Sequence, residues 1–203
     1  MATGWVQTKD PSNGIYYWHY LDAYGRELYG WQTIGSYTYY FDASGHMATG
    51  FKTIDGYKYY FDSNGHRLTG WFTINGQTYY AFKHSGSVKY PVKCVEAIAN
   101  EAFWGDYESP SEYDWQPEGS LVTDHYCKIN GNWYFFNSNS VMVTGLMQVY
   151  GGYNYFESNG IMRTYGTIWI DEEPYVHFNY GRFVPGEQLA DSPNTVGSDI
   201  PTT

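Results

Sequence analysis

Residues 50–69 read "GFKTIDGYKYYFDSNGHRLT", and 30–49, "GWQTIGSYTYYFDASGHMAT", repeat the same grammar. So do residues 70–89, "GWFTINGQTYYAFKHSGSVK", so that Gly30, Gly50 and Gly70 recur every 20 residues and set the register. In each unit a short strand ("FKTI") meets a tight turn, Asp-Gly or Asn-Gly in two of the three, then a second strand ("YKYYF") and a second turn ("DSNG"). Those residue pairs supply the positive φ angles of hairpin turns, so each unit is predicted to be one β-hairpin plus a linking turn. A lone hairpin cannot bury its own face. Neighbours must therefore stack, and the predicted fold class is all-β, a β-solenoid of hairpin repeats held by nearest-neighbour contacts.

The pattern runs in both directions from these units. Residues 4–29 are the same unit with six extra residues in the first turn, and 126–145, 146–166 and a worn 167–183 resume it downstream. The predicted organisation is N-terminal hairpins over 1–90, an insert over 91–123, C-terminal hairpins over 124–183, and a polar, Pro-containing linker or tail over 184–203. Within the insert, "VKCVEAIANEAFW" has Ala and Glu with apolar residues at helical spacing, which predicts a short helix before an acidic, aromatic loop.

Composition narrows function. Aromatics are 21% of the 203 residues, including 24 Tyr and 8 Trp, whereas charged residues are 16%. Such a chain suits thin hairpins that bury one face and present rings on the other. A formal charge of −10 with only 11 Lys and Arg argues against a nucleic-acid partner, which needs clustered cations. No apolar run is long enough for membrane insertion, and the first 30 residues lack the features of a signal peptide. No cofactor is indicated. His46 and His66 recur at one turn position, which makes them repeat features rather than metal ligands.

The tandem "GWQTI…YYFD…G…TG" units resemble the cell-wall-binding or choline-binding repeats of Gram-positive surface proteins. They are also similar to the glucan-binding repeats of glucansucrases and the repetitive receptor-binding domains of clostridial toxins. The resemblance covers most of residues 1–90 and 124–166 and implies a non-catalytic module, secreted or on the cell surface, that binds ligands between successive hairpins. The branches differ in ligand, and the ring positions separate them. In choline-binding relatives a second-strand Trp joins the Gly-Trp ring in an aromatic box, since a quaternary ammonium has no hydrogen to donate and is held by π faces. Here that position holds Thr38, Lys58 and Thr78 in the most regular units. A ring returns at Trp18, Trp133 and Tyr153, and Trp5, Trp18, Tyr20 and Trp133 are the candidates for a choline-type site.

Sugars need a flat ring against the pyranose face with polar groups nearby. Trp31 with Tyr40, Phe51 with Tyr60 and Trp71 with Tyr80 offer rings, and Lys58 and Gln77 offer polar groups. The expected function is therefore binding of a cell-surface polysaccharide or α-glucan-like polymer. Choline recognition on teichoic acids is the alternative, and a structural spacer or protein-binding adhesin is another. The adhesin reading would use the insert surface, Trp104, Tyr107, Tyr113 and Trp115. Tyr39, Phe41, Tyr59, Phe61 and Tyr79, on the opposite strand face, are read as inter-repeat packing. Exposed end units predict a weak homodimer by edge pairing.

Cys94 and Cys127 flank the insert near unit starts, which brings a disulfide within reach in an exported protein; two buried free thiols are the other reading. No nucleophile, base and pocket can be assigned together, so no enzyme is expected.

Overall fold

The computed structural model describes residues 1–83, 92–95, 116–149, 152–179 and 182–185. Among the described residues the chain is all strand, turn and loop. It divides into two compact units, Met1–Lys89 with Trp115–Val122, and Tyr90–Asp114 with Thr123–Thr203.

The first unit is four two-stranded antiparallel sheets: β1 (Gly4–Lys9) with β2 (Tyr16–Leu21), β3 (Gly30–Ile34) with β4 (Tyr37–Phe41), β5 (Gly50–Ile54) with β6 (Tyr57–Phe61), and β7 (Gly70–Ile74) with β8 (Gln77–Ala81). Register follows the repeat: Trp31 faces Tyr40, Phe51 faces Tyr60 and Trp71 faces Tyr80. Asp55 and Asn75 take φ of 51° and 50° with Gly56 and Gly76 also positive, as the tight turns require.

Hairpins join through their linking turns. The Met47 amide donates to the Trp18 carbonyl and the Arg67 amide to the Thr38 carbonyl, each at 2.8 Å, so the residue closing one unit hooks onto the second strand of the unit before it. Each closing side chain then lies on a turn glycine of the following unit. Met1 rests against Gly25, Glu27 against Gly45, Met47 against Gly65, and Arg67 against Gly119. Met1 thus holds the position of a repeat methionine. Between the hooks, Tyr39, Phe41, Tyr59, Phe61 and Tyr79 are buried. These rings, with few aliphatics among them, form the core between repeats.

The insert departs from the regular plan in two ways. The Leu121 amide donates to the Lys58 carbonyl and Val122 to Tyr80, which are the bonds that Arg67 and Leu68 make one unit earlier. Residues 119–122 therefore close the third regular hairpin, and the extra chain is spliced into a linking turn, where Phe82 stands in place of the aspartates Asp42 and Asp62. The second departure corrects the helix expected to start at "VKCV". Val92–Val95 is a strand, β9, paired antiparallel to β10 (His125–Ile129), which pairs in turn with β11 (Asn132–Phe136). The three-residue spacing of the valines suits a helix face while their β-branching suits a strand, and pairing with β10 decides for the strand. The rest of the expected helix, with Trp104, Tyr107, Tyr113 and Trp115, lies outside the described residues.

Cys127 is disulfide-bonded, and the chain has one other cysteine, Cys94, directly opposite it in the β9–β10 ladder. The worn last unit is also more than a hairpin. β12 (Gly145–Val149), β13 (Gly152–Phe156), β14 (Thr167–Ile170), β15 (Glu173–Asn179) and β16 (Arg182–Pro185) form one five-stranded sheet in the order β12-β13-β16-β15-β14. The strand β16 extends past residue 183, so the tail expected from 184 begins as sheet, and 186–203 lie outside the described residues.

Candidate ligand-binding site

The first hairpin brings three rings to one face. Trp5 on β1 stands opposite Tyr20 on β2, with ring centroids 5.0 Å apart and planes at 80°; Trp18, two residues before Tyr20 and hence on the same face, lies 6.4 Å from Trp5 at 88°. Near-perpendicular walls of this kind enclose a corner lined by π faces. Trp5 and Trp18 are 38% and 43% exposed, so the corner is open to solvent. Behind it Trp5 packs on Tyr39 of the next hairpin at 5.0 Å, and the Met47 hook fixes the Trp18 backbone. Among the described residues no lysine or arginine lies over these three rings.

On the other face of the same hairpin, buried His19 bonds Thr8 Oγ1 through Nε2 at 2.8 Å and Glu27 through Nδ1. The Tyr29 hydroxyl donates to Glu27 Oε2 at 2.6 Å, and this bond, with His19 adding to it, holds the Glu27 carboxyl below its ordinary value. This network braces β2 beneath the rings. His46 and His66 stack on Tyr17 and Tyr37 at 3.8 and 3.7 Å, so the repeated histidines serve the turns.

The hairpins over residues 28–90 are choline-binding repeats. The choline-binding repeat family matches residues 28–50 and 48–90, and a cell wall binding repeat family matches 128–139. Choline-binding protein F from Streptococcus pneumoniae, crystallised in the presence of a tetrasaccharide-pentapeptide peptidoglycan analogue, is 31% identical; the match covers 90% of this chain and 47% of that one, with a TM-score of 0.63. A crystal of the same protein in complex with ipratropium matches with 30% identity, 90% and 49% coverage and a TM-score of 0.63. The choline-binding domain of CbpL from Streptococcus pneumoniae, 18% identical over 91% of this chain and 78% of that one with a TM-score of 0.51, shares the fold. The chain spans about half the length of the choline-binding protein F chain it matches. No curated protein sequence matches.

The later choline-binding repeats are built differently at the same positions. Trp31 is 36% exposed and packs on Tyr40 and Tyr59, at 5.1 and 4.8 Å. The Arg67 guanidinium lies 5.7 Å from its ring centroid and pairs with Glu118 at 3.1 Å. Its Nε is buried without a hydrogen-bond partner. The repeat therefore supplies its own cation to Trp31, although this ring is about as exposed as Trp5. Phe51 and Trp71 are exposed edges packed on Tyr60 and Tyr80, at 4.7 and 4.9 Å. Tyr80 is buried, which pushes its phenol pKa up and removes it as a sugar platform. Gln77 accepts the Tyr79 hydroxyl at 2.9 Å, and Lys58 is half-buried beside the Leu121 hook.

Trp133 belongs to the second unit, apart from the Trp5 set. It is 7% exposed and packs in a core with Tyr126, whose hydroxyl donates to buried Asn154 Oδ1 at 2.8 Å. Ring identity alone did not separate the open Trp18 from the closed Trp133. The closing residues Met47, Arg67 and Met162 were also missed as site residues. Their signal was available in the parallel "GHMAT" and "GHRLT" turns, where Met gives way to Arg.

Proposed function

We propose that the chain is a non-catalytic anchoring module that binds a choline-bearing glycopolymer of a Gram-positive cell wall, with the quaternary ammonium held by Trp5, Trp18 and Tyr20. The observation that carries this reading is the open corner of perpendicular rings, over which no lysine or arginine lies among the described residues. A trimethylammonium group is attracted by the negative faces of such rings and forms no hydrogen bond that water could replace, with about 0.5–2 kcal/mol per favourable ring contact. Choline-binding protein F, crystallised with a peptidoglycan analogue and with ipratropium, agrees with a cell-surface role. One ring set gives weak binding, and a repetitive polymer turns it into useful avidity only if several modules or sites engage.

The test is retention on a choline-type resin with elution by free choline. Wild type should be retained and Trp18→Ala should pass through, with unchanged thermal unfolding. Passage of the wild type, or retention of Trp18→Ala, would sink the reading.

A second reading rests on Trp31, Phe51 and Trp71, whose exposed edges recur on successive hairpins as a row for polysaccharide stacking. Affinity electrophoresis against dextran, starch and cell-wall polysaccharide tests it: retardation that survives Trp18→Ala supports it, and no retardation on any polymer counts against it.

A further inference from the structure

We infer that the second unit carries a separate site for an acidic sugar, a pyranose bearing a phosphoester or a carboxylate, in the cavity between the β10–β11 hairpin and the turn that closes β12–β13. The cavity holds about 550 Å³, within the range of small-molecule sites and sufficient for a sugar residue. It stands in the topological place of the Trp18 corner. The Met162 amide donates to the Trp133 carbonyl at 2.8 Å, as the Met47 amide does to Trp18.

What differs is the sign of the charge around that shared hook. Opposite Trp18 stands Gln7; opposite Trp133 stands Lys128, with its Nζ 5.8 Å from the Trp133 ring centroid. After Met47 comes buried Ala48; after Met162 comes Arg163, which pairs with Glu157 at 2.7 Å and lies 5.6 Å from the Tyr155 ring. Lys128, Arg163 and Glu157 all line the cavity, so its wall is net cationic in a chain of formal charge −10. A quaternary ammonium entering here meets an ammonium already over the ring and a guanidinium beside it. An anion meets two cations, and charge-assisted hydrogen bonds are about twice as strong as neutral ones.

The remaining lining fits a sugar. Tyr165 is 77% exposed and offers a flat face for the pyranose, and Asn132 and Thr164 offer an amide and a hydroxyl for its hydroxyl groups. The site is independent of the proposed ammonium site, since it lies in the other unit and selects the opposite charge.

Isothermal titration of the whole chain tests it, using glucose 1-phosphate and a glucuronate-containing disaccharide as acidic probes and maltose as the neutral one. At least one acidic probe should bind about tenfold more tightly than maltose, and added salt should weaken it. Which acidic probe binds tells phosphoester from carboxylate recognition. Lys128→Gln, an exposed change that leaves the core intact, should cost about tenfold, and Lys128→Arg should retain binding. Trp18→Ala and free choline should have no effect, which separates failure here from failure of the ammonium reading. Equal binding of maltose, an unchanged Lys128→Gln, displacement by choline, or no heat with either acidic probe would overturn it.

Discussion

At the residue scale, one exchange in a repeated turn changes what lies over a tryptophan. Arg67 takes the place of Met47 and sets an intramolecular cation beside the Trp31 ring, while Thr38 takes the place of Trp18 and removes one wall. Reversing both in Thr38→Trp/Arg67→Met should create a second ammonium corner. Choline titration should then give twice the wild-type stoichiometry; unchanged stoichiometry in a folded variant would refute this account of Trp31. The lost Arg67–Glu118 pair should cost little, about 0–1 kcal/mol, because Glu118 is partly exposed. Glu27 offers a second test. Its carboxyl is depressed from 4.5, first by the Tyr29 hydrogen bond and then by His19, with burial opposing them. A depressed folded pKa stabilises the fold above the unfolded value and loses that contribution as pH falls through the folded one. Stability of the first unit should therefore decline on acidification below about pH 4.5. Glu27→Gln should flatten that part of the profile in denaturant titrations; a profile identical to wild type would rule the pair out as a source. The Thr38 and Lys58 positions were legible in the sequence as poor ammonium walls, because the repeat aligns them with Trp18. Arg67 was not, because its reach to Trp31 depends on stacking between units.

At the element scale, the hairpin and its hook are the unit of stability. The period of 20 made every regular strand pair of the first unit readable, and in two of the three the Asp-Gly or Asn-Gly turn, which admits few other structures, did so on its own. The hook is tertiary and uses main-chain groups, so side-chain patterns left no direct trace of it. Its packing partner did leave a trace, in the glycine of "DSNGH". Gly65 has φ of +82°, and a Cβ there would overlap the Met47 sulfur. Gly65→Ala should cost about 1–3 kcal/mol from the left-handed backbone and the displaced methionine together. A urea midpoint within error of wild type would show that the hook tolerates looser packing. The strand β9 marks the other limit of element-level reading. In these four residues the spacing of the valines favours a helix and their β-branching a strand, and only the partner β10, about thirty residues away, distinguishes them.

At the scale of the whole molecule, the array is interrupted without losing its repeat logic. Phe82 bonds directly to Gly119 and Ser120, so the closing bonds of that hairpin are made by residues far along the sequence. That placement was hidden because "GSVKY" and "GSLVTDHY" both end like a unit, and bonding to Phe82, Lys58 and Tyr80 selects the second. Of the stretch between, β9 pairs with β10 within the second unit, where Cys127 is disulfide-bonded. Closing the 34-residue stretch from Cys94 to Cys127 should stabilise the second unit by roughly 3–4 kcal/mol in the loop-entropy account. The two units offer separate readouts for testing this, because the ammonium corner lies in the first and the cysteine pair in the second. Cys94→Ser/Cys127→Ser should lower the thermal transition reported by protection of second-unit amides such as those of β10 and β11. Retention on the choline-type resin at low temperature should persist, since Trp5, Trp18 and Tyr20 take no part in that ladder. An unchanged transition under both mutation and reductant would mean that β9–β10 pairing and the Tyr126–Phe156 core hold the unit without the covalent link.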